Sequence, residues 1–234
     1  MSSDRVLLAL AVVLSVMFIA IVCFRPTGTV DVWWTLEVGD YILAEGDVPR
    51  TALWTIEAVR DLPYVCHGWL PALMFSSAAN TLGVDAVPGV PTLPPDVTSR
   101  GLEFINRHVK GNVLNSYSLG GLLIYFTYPQ IRVSMDSRAD PYPPAYYAAY
   151  QNALYGTTAR ATRAFVNRHA IDHIIVARRT YERIVRPKLS ELSDFRLVYQ
   201  DELTVVLSRM AGTASGGMRL RLSRPTRSGS SALP

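Results

Sequence analysis

Residues 6–24 read VLLALAVVLSVMFIAIVCF, nineteen consecutive positions without a charge. As a helix this run rises roughly 28 Å, close to the hydrocarbon thickness of a bilayer. Thirteen of the nineteen are Val, Leu, Ile or Phe. At about 0.3–0.6 kcal/mol each, their insertion is worth on the order of 4–8 kcal/mol. A cleaved signal peptide has a shorter apolar core followed by a small-x-small site. Here the run ends in Val22-Cys23-Phe24-Arg25-Pro26. Residues 1–25 are therefore expected to form a retained transmembrane anchor, with the lipid bilayer as the first partner. Asp4 and Arg5 before the run and Arg25 after it give the positive-inside rule little to weigh.

The remaining length suits one modest domain with appendages. The net charge of +4 is concentrated at the C-terminus, where Arg219, Arg221, Arg224 and Arg227 occur without an acid. The rest of the chain is close to neutral, so the basic balance does not point to nucleic acid. The two cysteines, Cys23 and Cys66, cannot build a disulfide framework.

After the anchor, residues 26–87 read as a loop region. It carries a short amphipathic helix at 35–44, ended by Gly46 and Pro49. A second apolar stretch, 69–84, contains Pro71, Asn80 and Gly83. It is expected to be an interfacial or packed helix rather than a second span. Residues 88–97, PGVPTLPPDV, hold four prolines in ten positions and read as a semi-rigid linker.

From residue 98 the pattern alternates. Helices are expected at 99–109 (with Ser99 as N-cap), 119–128, 144–155, 158–169 and 181–192. Strands are expected at 112–117, 131–135 and 171–177, followed by a hairpin of 196–200 with 204–208. This predicts a small α/β layer domain over 98–210. The Gly-, Ser- and Arg-rich segment 211–234 is expected to be a disordered basic tail.

Several residues could carry chemistry. Asp31, seven positions past the apolar run, could act as a base near the membrane surface, or could simply cap a helix beside interfacial tryptophans. His67 and Trp69, in His67-Gly68-Trp69-Leu70, could meet a ligand at the same interface or be structural. In Asp136-Ser137-Arg138-Ala139-Asp140, two carboxylates flank an arginine after an apolar strand. That group could bind a metal or a polar ligand, or form an internal ion-pair network at the strand end. His169 and His173 fall across a predicted strand, which removes the shared helical face that a zinc site needs. No Walker loop or GxGxxG is present, and Ser116-Tyr117-Ser118-Leu119-Gly120-Gly121 lacks the leading glycine of a nucleophile elbow. Neither a metal nor a cofactor is expected.

Two stretches together resemble one family. The first comprises Asp31-Val-Trp-Trp-Thr-Leu-Glu-Val-Gly39-Asp-Tyr-Ile42, Gly46-Asp-Val-Pro49-Arg-Thr51, Tyr64 and His67-Gly-Trp69-Leu70. The second comprises Gly111-Asn-Val-Leu-Asn115-Ser-Tyr117-Ser-Leu-Gly120-Gly121-Leu-Leu-Ile124 and Arg132-Val-Ser-Met-Asp136-Ser-Arg138-Ala-Asp140. They resemble, respectively, the first extracytoplasmic loop and the soluble C-terminal domain of bacterial polytopic glycosyltransferase-like membrane proteins. That superfamily uses polyprenyl-phosphate sugars and is akin to protein mannosyltransferases.

The resemblance implies Asp31 as the carboxylate that activates an acceptor hydroxyl. It implies His67, Trp69, Asp136, Arg138 and Asp140 as candidate substrate contacts. Family members usually carry an acid where this chain has Gly68, and a long series of membrane helices normally separates the two stretches. Here they are joined through residues 77–97, so the chain looks internally shortened.

Three readings follow. The chain is a membrane-anchored glycosyltransferase-like protein that is non-catalytic alone, because the lipid-donor enclosure is missing. Alternatively it is a glycosyltransferase, or a subunit completed by a polytopic membrane partner, that takes sugar from a polyprenyl-phosphate carrier. Or it is a single-span binding module. In each, the bulk of the chain is expected outside the cytoplasm, anchored in the inner (plasma) membrane by one pass.

Overall fold

The computed structural model describes residues 31–82, 96–138 and 140–210. The expected anchor, most of the proline-rich linker and the basic tail lie outside these residues. Among the described residues, no helix is long and apolar enough to cross a membrane.

The chain is mixed α/β, built on a five-stranded sheet. Its elements are α1 (Asp31–Glu45), α2 (Glu57–Arg60), α3 (Trp69–Leu82), α4 (Ser99–His108), β1 (Gly111–Asn115), α5 (Gly120–Thr127), β2 (Ile131–Val133), α6 (Pro144–Tyr155), α7 (Ala159–Arg168), β3 (His173–Ala177), β4 (Phe195–Gln200) and β5 (Thr204–Arg209). The strand order is β2-β1-β3-β5-β4. β1 runs parallel to β2 and β3, whereas β5 pairs antiparallel with both β3 and β4.

Alternation along the strands sorts the core into two layers. Val113, Ile175 and Val206 point to one face, against Leu36, Ile105 and Leu122 from α1, α4 and α5. Leu114, Ile174, Val176, Val205 and Leu207 point to the other, against Tyr150, Leu154 and Phe165 from α6 and α7. A period of two on strands buried on both sides produces such a sandwich of helices around a sheet.

The N-terminal stretch is part of this body. Ile56 N donates to Val133 O (3.0 Å) and Val133 N to Trp54 O (3.3 Å), so residues 54–56 cover the free edge of β2. α1 ends at Gly46, whose φ of 71° and N–H to Ile42 O (2.9 Å) make a left-handed C-terminal cap. Trp33 lies 5.5 Å from Tyr125 and 5.1 Å from Phe126 of α5, centroid to centroid. On its other side α1 meets α3 at Gly39, where a Cβ would stand 2.1 Å from Ala72 O. Only glycine permits that approach.

Two expectations are corrected. The cap of α4 is Thr98 rather than Ser99: Thr98 is extended, and its Oγ1 accepts from Gly101 N at 2.8 Å. No regular helix runs from 181 to 192. The chain instead turns through Arg178–Thr180, a wide-turn segment at Tyr181–Val185 and a tight turn at Arg186–Lys188. Pro187 lacks the N–H that an α-helix would need there.

Candidate functional site

The C-terminal ends of β1 and β2 gather the groups singled out in Asp136-Ser137-Arg138. Asp136 and Arg138 are buried and face each other as a two-point pair, Nε to Oδ1 at 2.9 Å and Nη2 to Oδ2 at 2.6 Å. The Asp136 carboxylate also accepts from Arg138 N (2.8 Å) and from Tyr142 Oη (2.6 Å). Burial is the strongest single influence and would lower the Arg138 pKa, but the charge of Asp136 and its hydrogen bonds to the guanidinium together hold it above the ordinary value.

The rest of the guanidinium faces aromatic rings. Its carbon lies 5.0 Å from the Trp54 centroid, 5.2 Å from Tyr64 and 5.9 Å from Trp34. Nη1 makes no hydrogen bond and is left to this cation–π environment. The three rings come from the N-terminal stretch, so Arg138 of the α/β unit is held by residues far earlier in the sequence. Cys66 is free and buried nearby. Burial pushes its thiol pKa up, against smaller lowering effects from Tyr64 and Arg138.

Asp31 stands at the start of α1 on the rim of this cluster, half-buried. Its Oδ1 accepts from Trp34 Nε1 at 3.3 Å, and its backbone oxygen accepts from Thr35 Oγ1 at 2.7 Å. Tyr117 lies beside it and donates from Oη to Ser137 O at 3.0 Å. Burial raises the Tyr117 pKa, and the charges of Asp31 and Asp136 raise it further. The fold thus brings Asp31 together with Asp136 and Arg138, which the sequence holds far apart.

The other expected site residues stand elsewhere. His67 and Trp69 are exposed on the surface carrying the start of α3, and Asp140 is exposed in the turn after Arg138. The latter takes no part in the Asp136–Arg138 pair.

In an open α/β sheet, the crevice between strands whose connections leave in opposite directions is the usual ligand position. Here it lies between the C-terminal ends of β1 and β3 and is bridged from within. Asp96 accepts from Ser118 Oγ at 2.8 Å and pairs with Arg179 Nη2 at 3.2 Å.

A separate open groove of about 870 Å³ runs between α6 and α7, floored by alanines and flanked by Tyr146, Phe165, Arg168 and His169. Tyr142, Tyr146 and Tyr150 were invisible to motif reading. Their phenols donate to Asp136 Oδ2, Ser134 O and Asn115 O, respectively, locking α6 and the turn before it onto the ends of β1 and β2. For Tyr146 and Tyr150 the signal was their spacing of four, which places them on one side of α6; Tyr142 stands in the turn before it.

Among the described residues, no cluster of His, Cys, Asp and Glu has a geometry that could hold a metal ion. Comparison with protein-family models, curated proteins and solved structures found no match to this chain.

Proposed function

We propose that this chain is a membrane-anchored glycosyltransferase-like protein that transfers no sugar by itself, its α/β body held outside the cytoplasm by the single N-terminal apolar run. The observation that carries this reading is the sealed state of the Asp136–Arg138 pair. Both side chains are spent on each other, on Tyr142 and on an aromatic enclosure, which leaves them unavailable to a substrate. Asp31 remains half-exposed at the rim, hydrogen-bonded to Trp34.

Transfer from a lipid-linked donor requires donor and acceptor to be fixed in reacting geometry. One bilayer-length run cannot wall off such a donor. The test is the purified full chain in vesicles supplied with a radiolabelled polyprenyl-phosphate sugar. No transfer above chain-free vesicles is expected, and transfer would refute the reading.

A second reading has one observation in its favour: the convergence of Asp31 with Tyr117, Ser137 and Arg138. As a subunit completed by a polytopic partner, the chain would supply Asp31 as the general base. Asp31→Asn would then abolish sugar transfer in native membranes. The non-catalytic reading expects the rate to be unchanged.

A further inference from the structure

Residues 62–84 contain no Asp, Glu, Lys or Arg, an uncharged stretch of twenty-three positions. α3 lies inside it, and its two sides differ. Ala72, Ser76 and Ala79 are buried toward α1. Asp40 of α1 accepts hydrogen bonds from Ser76 Oγ and from Asn80 Nδ2. The outward side carries Trp69 (44% exposed), Leu70 (50%) and Met74 (61%), with Val65 (65%) just before the helix. Four of the nine exposed large apolar side chains among the described residues therefore fall within ten positions of one another. Isolated exposed apolar residues are ordinary, but a concentration of them marks a contact surface.

The neighbouring sequence identifies the contact. The bilayer-length run ends at Phe24, and α1 begins at Asp31. Six intervening residues reach at most about 25 Å. α3 packs directly on α1, itself about 22 Å long, at Gly39 and Asp40, so it is held within a few tens of ångströms (roughly the tether plus one helix length) of the membrane surface. Trp beside Leu, Met and Val, without charge, matches the boundary between headgroups and acyl chains, where amphipathic aromatic rings settle.

We infer that the Val65, Trp69, Leu70 and Met74 surface docks on the lipid bilayer, with the outward side of α3 seated at the headgroup boundary. This rests on the anchored reading for its proximity argument only. The patch bears no charge, so docking requires no anionic lipid.

The experiment uses the full chain, with Cys23→Ser, reconstituted in phosphatidylcholine vesicles. An environment-sensitive fluorophore is placed at Met74→Cys or, as the comparison, at exposed Arg160→Cys on α7; buried Cys66 is left in place. The expected result is a blue shift and strong quenching by doxyl-labelled lipid at 74 only, with aqueous iodide quenching at 160 only. Adding Trp69→Glu and Leu70→Glu should return the label at 74 to iodide access. Iodide quenching at 74 in the unmodified patch would overturn the inference. Shielding at 74 from both quenchers would also overturn it, since a protein surface would then cover the patch. Alkaline carbonate extraction reports separately on the N-terminal anchor, and the label is read at neutral pH whichever way that extraction turns out.

Discussion

Arg138 shows how one side chain can join two stretches of chain. Its charge is balanced by Asp136, two residues away, and its faces are covered by Trp34, Trp54 and Tyr64 from the N-terminal stretch. Removing one member of a buried pair strands the other, at a cost of about 3–5 kcal/mol. Arg138→Leu should therefore lower the unfolding free energy by about that amount, read by denaturant titration. It should also speed proteolysis between residues 46 and 68, which the aromatic contacts restrain. A loss below about 1 kcal/mol, the scale of a surface pair, would contradict this.

Lys188 plays a comparable part at smaller scale. Its buried ammonium donates to Ala153 O, Leu154 O and Gly156 O at the end of α6, where a positive charge favours the helix dipole. Nothing in the local sequence announced that role, because its partners lie more than thirty residues earlier.

At the scale of elements, the strands were the most legible. The apolar run in β3 and the turn at Asp201-Glu202 declare themselves through composition and punctuation. α6 was likewise marked, by Pro144 at its first position and Gly156 after its last. Less legible was the segment after β3, where the apolar spacing looks helical but Pro187 breaks the hydrogen-bond ladder.

α7 ends where it was expected, with His169 as its C-cap, but the form of that cap was not marked in the sequence. Ile171 N bonds to Val166 O and Ala170 N to Asn167 O, with Ala170 at φ 46°. These bonds make a Schellman cap whose left-handed position is occupied by alanine where glycine is usual. Relief of that strain, about 1–2 kcal/mol, exceeds the entropy cost of glycine at about 0.5–1 kcal/mol. Ala170→Gly should thus stabilise the protein by about 0.5 kcal/mol, whereas Ala170→Val should destabilise it; melting curves would report both.

Across the whole molecule, the candidate site was legible in its parts but not in its assembly. Asp31, Asp136 and Arg138 could be chosen from the sequence as chemistry-bearing residues. That Arg138 would be sealed by three rings, and that His67, Trp69 and Asp140 would stand apart from it, depends on how α1 and residues 54–56 dock on β2 and α5.

The packing around β3 and the end of α7 sets a pH response. His173 is held by Ser208 Oγ at 2.7 Å and Lys110 O at 3.1 Å, and burial lowers its pKa; burial also lowers that of His169. Their contribution is complete above the unfolded value near 6.5. It fades as the pH falls through the lower folded values, because the unfolded chain binds the proton more readily. Melting temperature should drop between pH 7 and 5, and His173→Gln should flatten part of that slope.

The functional account depends on the N-terminal stretch and the α/β unit forming one body beside the membrane, with a single crossing behind them. Protease protection of the full chain in sealed vesicles, mapped by mass spectrometry, tests this most directly. The account predicts one bilayer-protected segment at residues 6–24 and a resistant body comprising residues 31–82, 96–138 and 140–210 on a single side of the membrane. A further protected crossing within residues 62–95, or cleavage that places 31–61 and 98–210 on opposite sides, would contradict it.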